Sequence, residues 1–166
     1  VRTTPSGVCN TLQAGEATGV IHAAGVLDDA LLHNQTPASV NRVFAPKLDT
    51  LSQLQHLLSA SALTTSVVFS SIAALLGSAA QSNYAAANAG LDAWAQTQLS
   101  AGNTGLSIQW GAWDTPGMAT RNAATLSRME KCGVGILASD QGLSALQAAL
   151  RGLCAHPGAQ ELVVSD

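Results

Sequence analysis

SVVFSS, residues 66–71, is a short β-branched run that ends in two serines, and an alanine-rich segment of helix length, residues 83–99, follows it. A run of this kind predicts a buried strand, and the longer segment carries apolar residues at helical spacing. The alternation continues on both sides. GVIHAAG (19–25) predicts a buried strand that runs into a glycine turn, and LSIQW (106–110) predicts another strand. Strands that alternate with helices predict an α/β fold, with a parallel sheet flanked by helices.

The helix between the first two strands has its own start signal. Thr36 is the expected N-cap, and Pro37 occupies the expected first helical position. An apolar stripe at three- and four-residue spacing follows: Val40, Val43, Phe44, Leu51, Leu54 and Leu58. Pro46 interrupts this stripe and predicts a kink or a restart of the helix. Near the carboxyl end, a helix capped by Asp140 is expected to bury Leu143, Leu146, Leu150 and Leu153, and residues 161–164 predict a last strand.

Composition narrows the class of protein. The 166 residues include seven Lys plus Arg against ten Asp plus Glu, a net charge of −3, and 47% are hydrophobic while only 10% are charged. This balance excludes a disordered chain, and the lack of a basic cluster argues against a nucleic-acid partner. No apolar run reaches the roughly 20 residues of a membrane span, and no signal peptide opens the sequence. We therefore expect one cytoplasmic domain that does not contact a membrane.

Three cysteines, Cys9, Cys132 and Cys154, have neither the number nor the spacing of a disulfide framework or a zinc site. We expect reduced thiols and no metal site.

Lys47 occupies an unusual position. It lies three residues after Phe44 and four before Leu51, in the middle of the apolar stripe. An ammonium group that faces a core is costly unless it is paired or opens into a cleft. Lys47 therefore either extends to the surface where Pro46 bends the helix, or belongs to a functional site.

Tyr84, the single tyrosine, lies four residues before Asn88, so the two side chains share one face of a helix. Tyrosine can act as a general acid when a nearby cation lowers its pKa from about 10, and a partly buried lysine is a suitable cation. Ser71 ends a predicted strand, at the edge where parallel sheets bind ligands, and its hydroxyl could hold a substrate carbonyl. Taken singly, Tyr84 is better explained as a packing aromatic and Ser71 as a turn cap.

Taken together, these residues resemble the short-chain dehydrogenase/reductase pattern: FSS at 69–71 and, thirteen residues after the second serine, Tyr84 within NYAAANA at 83–89. The sequence is most similar to ketoreductase domains of modular polyketide synthases and animal-type fatty acid synthases. Further stretches agree with that subgroup: HAAGVLDD (22–29), PKLD (46–49), WGAW (110–113), GMA (117–119) and DQG (140–142). The resemblance covers about residues 20–164.

One departure from the general family identifies the subgroup. Short-chain reductases as a rule place a lysine four residues after the tyrosine, where this sequence has Asn88. Polyketide-type ketoreductases exchange the two residues and carry the lysine on another helix, at a position that Lys47 matches. The resemblance therefore explains a lysine on an apolar stripe.

The resemblance implies a Rossmann-like, doubly wound, mostly parallel sheet, with residues 1–166 forming part of a ketoreductase catalytic domain. The family holds its cofactor on a glycine-rich phosphate loop after the first strand, and no such loop precedes Val20. GVGILA (133–138) has a matching spacing but follows a probable lid, residues 114–132, so we interpret it as a coincidence. We expect the fold to be truncated on its N-terminal side, Val1 to be an internal cut, and the fragment to be inactive alone.

The function implied by the resemblance is NADPH-dependent reduction of a β-ketoacyl thioester, carried on an acyl carrier protein, to the β-hydroxyacyl thioester. Tyr84 would protonate the carbonyl oxygen and Ser71 would hydrogen-bond it. Lys47 would lower the Tyr84 pKa and bind the nicotinamide ribose, and Asn88 would hold a water or the lysine. The residues implied to line the cofactor are Ala23, Ala24, Gly25, Lys47, Tyr84, Gly111 and Trp113. The implied partners are the carrier protein, neighbouring synthase domains and the N-terminal part of the reductase.

The resemblance also implies a stereochemical type. Leu27, Asp28 and Asp29 match the fingerprint of B-type ketoreductases, which form a D-hydroxy product, although an acidic pair here is also explained as a solvated turn. A-type enzymes tend to carry a tryptophan between the serine and the tyrosine, and Leu76 occupies the corresponding place. Met118 would contact the acyl chain.

Two other functions stay open. One is a stand-alone short-chain dehydrogenase that acts on a free alcohol or ketone, and the exchange of Lys47 and Asn88 counts against it. The other is a catalytically silent reductase half that only packs against neighbouring domains. The intact set of four site residues counts against that second alternative.

Overall fold

The computed structural model describes residues 19–57, 65–114, 127, 131, 133–155 and 161–164. In chain order the elements are β1 (Gly19–His22), α1 (Pro37–Phe44), α2 (Thr50–Leu57), β2 (Thr65–Ser71), α3 (Ala73–Leu76), α4 (Ser82–Ser100), β3 (Leu106–Trp110), β4 (Ala112–Trp113), β5 (Ile136–Leu137), α5 (Ser139–Ala155) and β6 (Glu161–Val164). A short helical turn, Leu32–Asn34, precedes α1, and a wider turn, Ala45–Asp49, joins α1 to α2.

Four of the strands form one sheet in the order β1-β2-β3-β6, and every neighbouring pair in it is parallel. The order places β1 and β6 at the two edges of this sheet. A second, two-stranded parallel sheet pairs β4 with β5. The alternation of strand and helix thus produces the α/β architecture that the sequence predicts.

Helices cover both faces of the sheet. On one face, Val67 packs with three buried residues of β3, with Leu153 of α5 and with Leu137 of β5. On the other face, Val68 packs with Leu51 of α2 and Leu91 of α4. Neighbouring residues of β2 thus point to opposite layers, as side chains of a strand must. This arrangement is the doubly wound sheet implied by the resemblance.

The entry to α1 follows the predicted chemistry. Thr36 is the N-cap, its side chain accepts a hydrogen bond from the Ser39 backbone N–H at 3.1 Å, and the Ser39 hydroxyl accepts one from the Thr36 backbone N–H at 2.9 Å. Pro37 is the first helical residue. This reciprocal pair satisfies two backbone donors that a helix start otherwise leaves free.

The predicted kink at Pro46 is a turn of wider pitch. Thr50 N–H donates to the carbonyl of Ala45, five residues back, instead of the usual four. Such a wide turn is a local widening of an α-helix, and proline favours it because it has no N–H for the regular ladder. The turn carries Lys47 into the interior.

Three expectations about the elements are wrong. The first strand is not buried throughout, because it lies at the sheet edge: Ile21 is half exposed, and in β1 only His22 is buried. Asp140 lies inside the first turn of α5 and does not cap it, since the helix begins at Ser139. Leu143 is mostly exposed, and α5 packs on the sheet through Ala145, Leu146, Ala149, Leu150 and Leu153.

Of the remaining predicted apolar positions, Leu58 lies outside the described residues. None of the helices in the described ranges combines the length and apolarity that a membrane span requires.

Candidate active site

The carboxyl ends of three neighbouring strands meet at one edge of the sheet. β2 ends at Ser71, β1 is followed by residues 23–25, and β3 is followed by Gly111. Ser71 Oγ accepts a hydrogen bond from the Ala73 backbone N–H at 3.2 Å, so it also acts as the turn cap that the sequence allows. Ala23 and Ala24 are exposed and Gly25 is half-buried, which leaves the main chain beyond β1 open at this edge.

Helix α4 brings three polar side chains to the sheet at four-residue spacing: Tyr84, Asn88 and Asp92. Asn88 is fully buried, and its Nδ2 donates to the Tyr84 carbonyl at 2.8 Å. Its Oδ1 is buried without a hydrogen-bond partner among the described residues. Ser70 Oγ of β2 donates to the Asn88 carbonyl at 3.3 Å and ties the helix to the strand.

Lys47 is only 3% exposed, so the alternative in which it extends to the surface is wrong. Its Nζ donates to the Phe69 carbonyl of β2 at 3.2 Å and lies 5.5 Å from the centroid of the Tyr84 ring. Within the described ranges, the single ion pair joins Arg42 to Asp28, so Lys47 has no carboxylate in direct contact there. The structure therefore brings Lys47, Tyr84 and Asn88 together, with the ammonium on the face of the ring.

Burial controls the protonation of both groups. It lowers the pKa of Lys47 from 10.5 to about 8, and the negative charge of Asp92 opposes this change. Burial raises the pKa of Tyr84 above 10, against hydrogen bonding from Ser71 and then Asn88, while the charge of Asp29 adds a small increase. This direction is opposite to the expected lowering by Lys47, because loss of hydration dominates at the buried hydroxyl. At neutral pH, Tyr84 keeps its proton and Lys47 is mainly cationic.

His22 is a site residue that sequence reasoning missed. It is buried at the end of β1, and its Nε2 donates to the Lys47 carbonyl at 2.9 Å, which holds the wide turn against the sheet. Burial is the main cause that lowers the His22 pKa below 6.5; the hydrogen bond to Lys47 raises it, and the ammonium of Lys47 lowers it further. The only available signal was its place at the start of HAAGVLDD.

Hydrogen bonds join the acidic loop after β1, residues 27–30, to residues 80–83 at the start of α4. Gln81 Nε2 lies 3.1 and 3.2 Å from the two carboxylate oxygens of Asp29, and Asn83 Nδ2 donates to the Asp28 carbonyl at 2.8 Å. Ala30 N–H donates to the Ala80 carbonyl at 2.8 Å. Because Gln81 is buried, its contact with Asp29 holds the loop in place beside the start of α4, the helix that carries Tyr84.

The two acidic side chains of this loop have different surroundings. Asp28 forms an ion pair with Arg42 at 2.8 Å, a surface contact. Asp29 is exposed apart from its Gln81 contact, and Leu27 is half-buried. Leu76 is mostly exposed on α3. Gln81 and Asn83 are further residues that sequence reasoning missed, because their partners lie more than 50 positions away.

Two expected cofactor residues have structural partners. Gly111 N–H donates to the Val164 carbonyl at 2.7 Å. The Trp113 ring lies 5.0 Å from the Trp110 ring, centroid to centroid, and a Cβ at Gly142 would meet it at 2.5 Å. The half-buried Trp113 ring therefore packs against β3 and α5, and its main chain pairs with Leu137 of β5. Met118 and the other residues of the expected lid lie outside the described residues, apart from 114, 127 and 131.

Comparison with known proteins identifies the family. A family model of the KR domain matches residues 7–115, more than half of the chain. The chain belongs to the KR domain family. The resemblance found in the sequence is thereby confirmed.

Similar proteins are polyketide synthases. The chain is 44% identical over 135 residues to the spectinabilin polyketide synthase system protein NorB of Streptomyces orinoci, and this match covers 80% of the chain but 6% of NorB. It is 40% identical over 134 residues, again 80% of the chain, to a putative inactive phenolphthiocerol synthesis polyketide synthase type I Pks1 of Mycobacterium tuberculosis (strain ATCC 25618 / H37Rv), of which it covers 8%. The chain thus spans a small part of these relatives.

A solved structure of A-type ketoreductases from a modular polyketide synthase is similar to this fold. The sequences are 35% identical, the TM-score is 0.80, and the match covers 89% of this chain and 30% of the other. The Rossmann-like fold expected from the resemblance is confirmed.

The contact between His22 and Lys47 predicts a pH-dependent stability. Because the folded state lowers the pKa of His22, the unfolded chain binds more protons as pH falls below 6.5, and the free energy of unfolding falls with it. His22→Gln keeps an amide donor but cannot titrate, so we expect a flatter dependence between pH 8 and pH 5.5. Urea unfolding at several pH values measures the slope. His33→Gln, at an exposed histidine, is the control and keeps the wild-type slope; an unchanged slope in His22→Gln would contradict the assignment.

Proposed function

We propose that this chain carries the catalytic groups of a ketoreductase that reduces a β-ketoacyl thioester with NADPH. The observation that supports this most is the buried ammonium of Lys47, 5.5 Å from the Tyr84 ring centroid and at the carboxyl end of β2, where Ser71 lies. A buried cation beside a tyrosine, with no carboxylate in direct contact among the described residues, is an arrangement that a structural role does not need, and perturbed groups of this kind concentrate at functional sites.

The residues present fit a nicotinamide cofactor. Asn88 Oδ1 is a buried acceptor without a partner among the described residues, and the ammonium of Lys47 uses one of its three donors on Phe69. Ribose hydroxyl groups can satisfy both. The residues that would hold the cofactor are Lys47, Tyr84, Ala23, Ala24, Gly25, Gly111 and Trp113. When bound, the cofactor supplies the hydride for the β-carbon.

Proton transfer then falls to Tyr84. Ser71 hydrogen-bonds the carbonyl oxygen of the substrate and fixes its position, and Tyr84 donates its proton to the same oxygen as negative charge develops there. The raised pKa of Tyr84 keeps that proton in place until the reaction needs it. The phenolate left behind is stabilised by the charge of Lys47, while Asn88 holds a water or the lysine in position.

The proposed substrate is carried on an acyl carrier protein, and the product is the β-hydroxyacyl thioester. Neighbouring synthase domains and the N-terminal part of the reductase are the other proposed partners. Residues 114–132 are proposed as the lid over the groove, with Met118 against the acyl chain. A stand-alone dehydrogenase would reduce free ketones equally well, and a silent domain would reduce neither carrier-bound nor free ketones. The name of the Mycobacterium tuberculosis relative calls that polyketide synthase putatively inactive.

Substitutions at the two lysines and the tyrosine test the assignment, in a complete ketoreductase that carries this chain. Tyr84→Phe removes the proton donor and keeps the ring, so kcat should fall at least about 100-fold. Lys47→Ala should cause a similar loss and also weaken cofactor binding. Lys131, which is exposed, provides the control, and Lys131→Ala should leave kcat within about twofold. Absorbance of NADPH with carrier-bound and free ketones is the measurement, and equal losses at both lysines would contradict the proposal.

The stereochemical type rests on the acidic loop. Gln81 and Asn83 hold Asp29 and the Asp28 main chain beside the start of α4, on one side of Tyr84. Leu76 of α3 is exposed on the approach to the same helix. These side chains would decide from which side the thioester arm enters. Since Tyr84 and the cofactor stay fixed, the entry side determines which face of the β-carbon receives hydride.

We expect a D-configured β-hydroxy product, as in B-type ketoreductases, although the solved relative described above is A-type. Chiral chromatography of the product formed by the complete ketoreductase measures this directly. Asp29→Asn with Gln81→Leu should lower the excess of the D product, because it frees the loop. A predominantly L product from the wild type would contradict the assignment.

A further inference from the structure

Asp92 is a buried carboxylate that the proposed mechanism does not use. It lies on α4, one turn after Asn88, and is 7% exposed. Its Oδ1 accepts a hydrogen bond from Ser107 Oγ at 2.5 Å, and its Oδ2 accepts one from Gln109 Nε2 at 2.9 Å. A buried charge needs such partners. Because an apolar residue would be buried at a lower free-energy cost, a buried carboxylate also indicates a role beyond packing.

The strand opposite Asp92 is adapted to it. β3 alternates apolar and polar residues, which would suit a sheet with one solvated face, yet all five of its residues are buried. Leu106, Ile108 and Trp110 pack on the α5 side, so the alternation directs Ser107 and Gln109 toward α4. Each donates one hydrogen bond to Asp92. The three residues form a polar cluster inside the layer between α4 and the sheet.

The same layer contains Lys47. Its ammonium is bound to the Phe69 carbonyl on β2, and Phe69 lies opposite Ile108 of β3, the residue between Ser107 and Gln109. The next residue of β2, Ser70, lies opposite Gln109 and donates to the Asn88 carbonyl. The hydrogen-bond partners of the two buried charges thus lie on the neighbouring strands β2 and β3, and Asn88 lies between Asp92 and Tyr84 along α4.

We propose that Asp92 is a positioning residue for the reductase site: its carboxylate, held by Ser107 and Gln109, is the counter-charge that keeps the buried ammonium of Lys47 protonated beside Tyr84. The proposal rests on the catalytic role of Lys47 described above. Asp92 does not contact the reacting atoms and acts through the lysine.

The charge balance around Lys47 supports this role. The negative charge of Asp92 raises the pKa of Lys47 against the effect of burial. From the elements packed against the wide turn, the other titratable or charged groups are His22 of β1, Tyr84 of α4, Arg42 of α1 and His56 of α2, and β2 contributes none. Arg42 and His56 are exposed. His22 and Tyr84 are both neutral at pH 7 to 9, and Asp49, on the turn itself, is exposed. Among these groups, Asp92 is the buried anion.

Asp92→Asn tests the proposal, because it removes the charge and keeps the shape. The new amide can donate to Ser107 Oγ and accept from Gln109 Nε2, so the cluster stays satisfied. In a complete ketoreductase that carries this chain, kcat/KM should fall as Lys47 loses its proton, and the alkaline limb of the pH profile reports this pKa. We expect Asp92→Asn to move the limb to lower pH by roughly one unit, with activity near pH 6 largely retained.

Ser107→Ala is the matched control. It removes one hydrogen bond to the carboxylate but leaves the charge, so the alkaline limb should stay in place even if the protein becomes less stable. Asp92→Glu, which restores the charge, should return the limb toward its wild-type position. If Asp92→Asn does not fold, Asp92→Ser removes the same charge with less volume and should give the same shift.

A limb that stays in place in the charge-removing variant, with activity reduced equally at every pH, would show that Asp92 is only structural and would overturn the proposal. Failure of the proposed function has a different outcome. In that case the wild-type enzyme would not reduce carrier-bound β-ketoacyl thioesters at any pH.

Discussion

The arrangement of the site depends on the burial of one ammonium group. Lys47 loses nearly all of its hydration, and a pKa lowered from 10.5 to about 8 corresponds to a cost of roughly 3 kcal/mol for keeping the charge. This cost is the part that is left after the more distant charge of Asp92 has opposed the effect of burial, and the ammonium also contacts the Phe69 carbonyl and the Tyr84 ring face. The burial of a group at this cost supports the proposed role of Lys47 beside Tyr84.

Local chemistry of the chain brings these groups together. Pro46 opens the helix into a wider turn, and His22 fixes the Lys47 main chain to the end of β1. The regular spacing of α4 then presents Tyr84, Asn88 and Asp92 to the same layer. Because neighbouring strands are parallel, the loops after β1, β2 and β3 converge at one edge of the sheet, where we propose that the substrate and the nicotinamide cofactor bind.

More of the site residues than of their contacts could be predicted from the sequence. The periodicity of one helix made Lys47 anomalous, and the N-cap at Thr36 and the kink at Pro46 are local features, so all three could be predicted. The roles of His22, Gln81 and Asp92 could not, because each depends on a partner from another element, up to 52 positions away. The prediction that β1 is buried was wrong because periodicity along one strand does not reveal the order of strands in the sheet. The packing of Trp113 against α5 could not be predicted because it depends on a helix that is distant in the sequence.

Direct titration of Lys47 tests the central claim, that the fold holds a functional ammonium in its interior. The chain has two lysines, so NMR spectra of protein labelled with ¹³Cε-lysine contain one buried and one exposed signal from it, and Lys131→Arg assigns them. We expect the Lys47 signal to titrate at a pKa of about 8. A pKa near 10.5, the value of a hydrated lysine, would contradict a buried ammonium beside Tyr84 and the mechanism built on it.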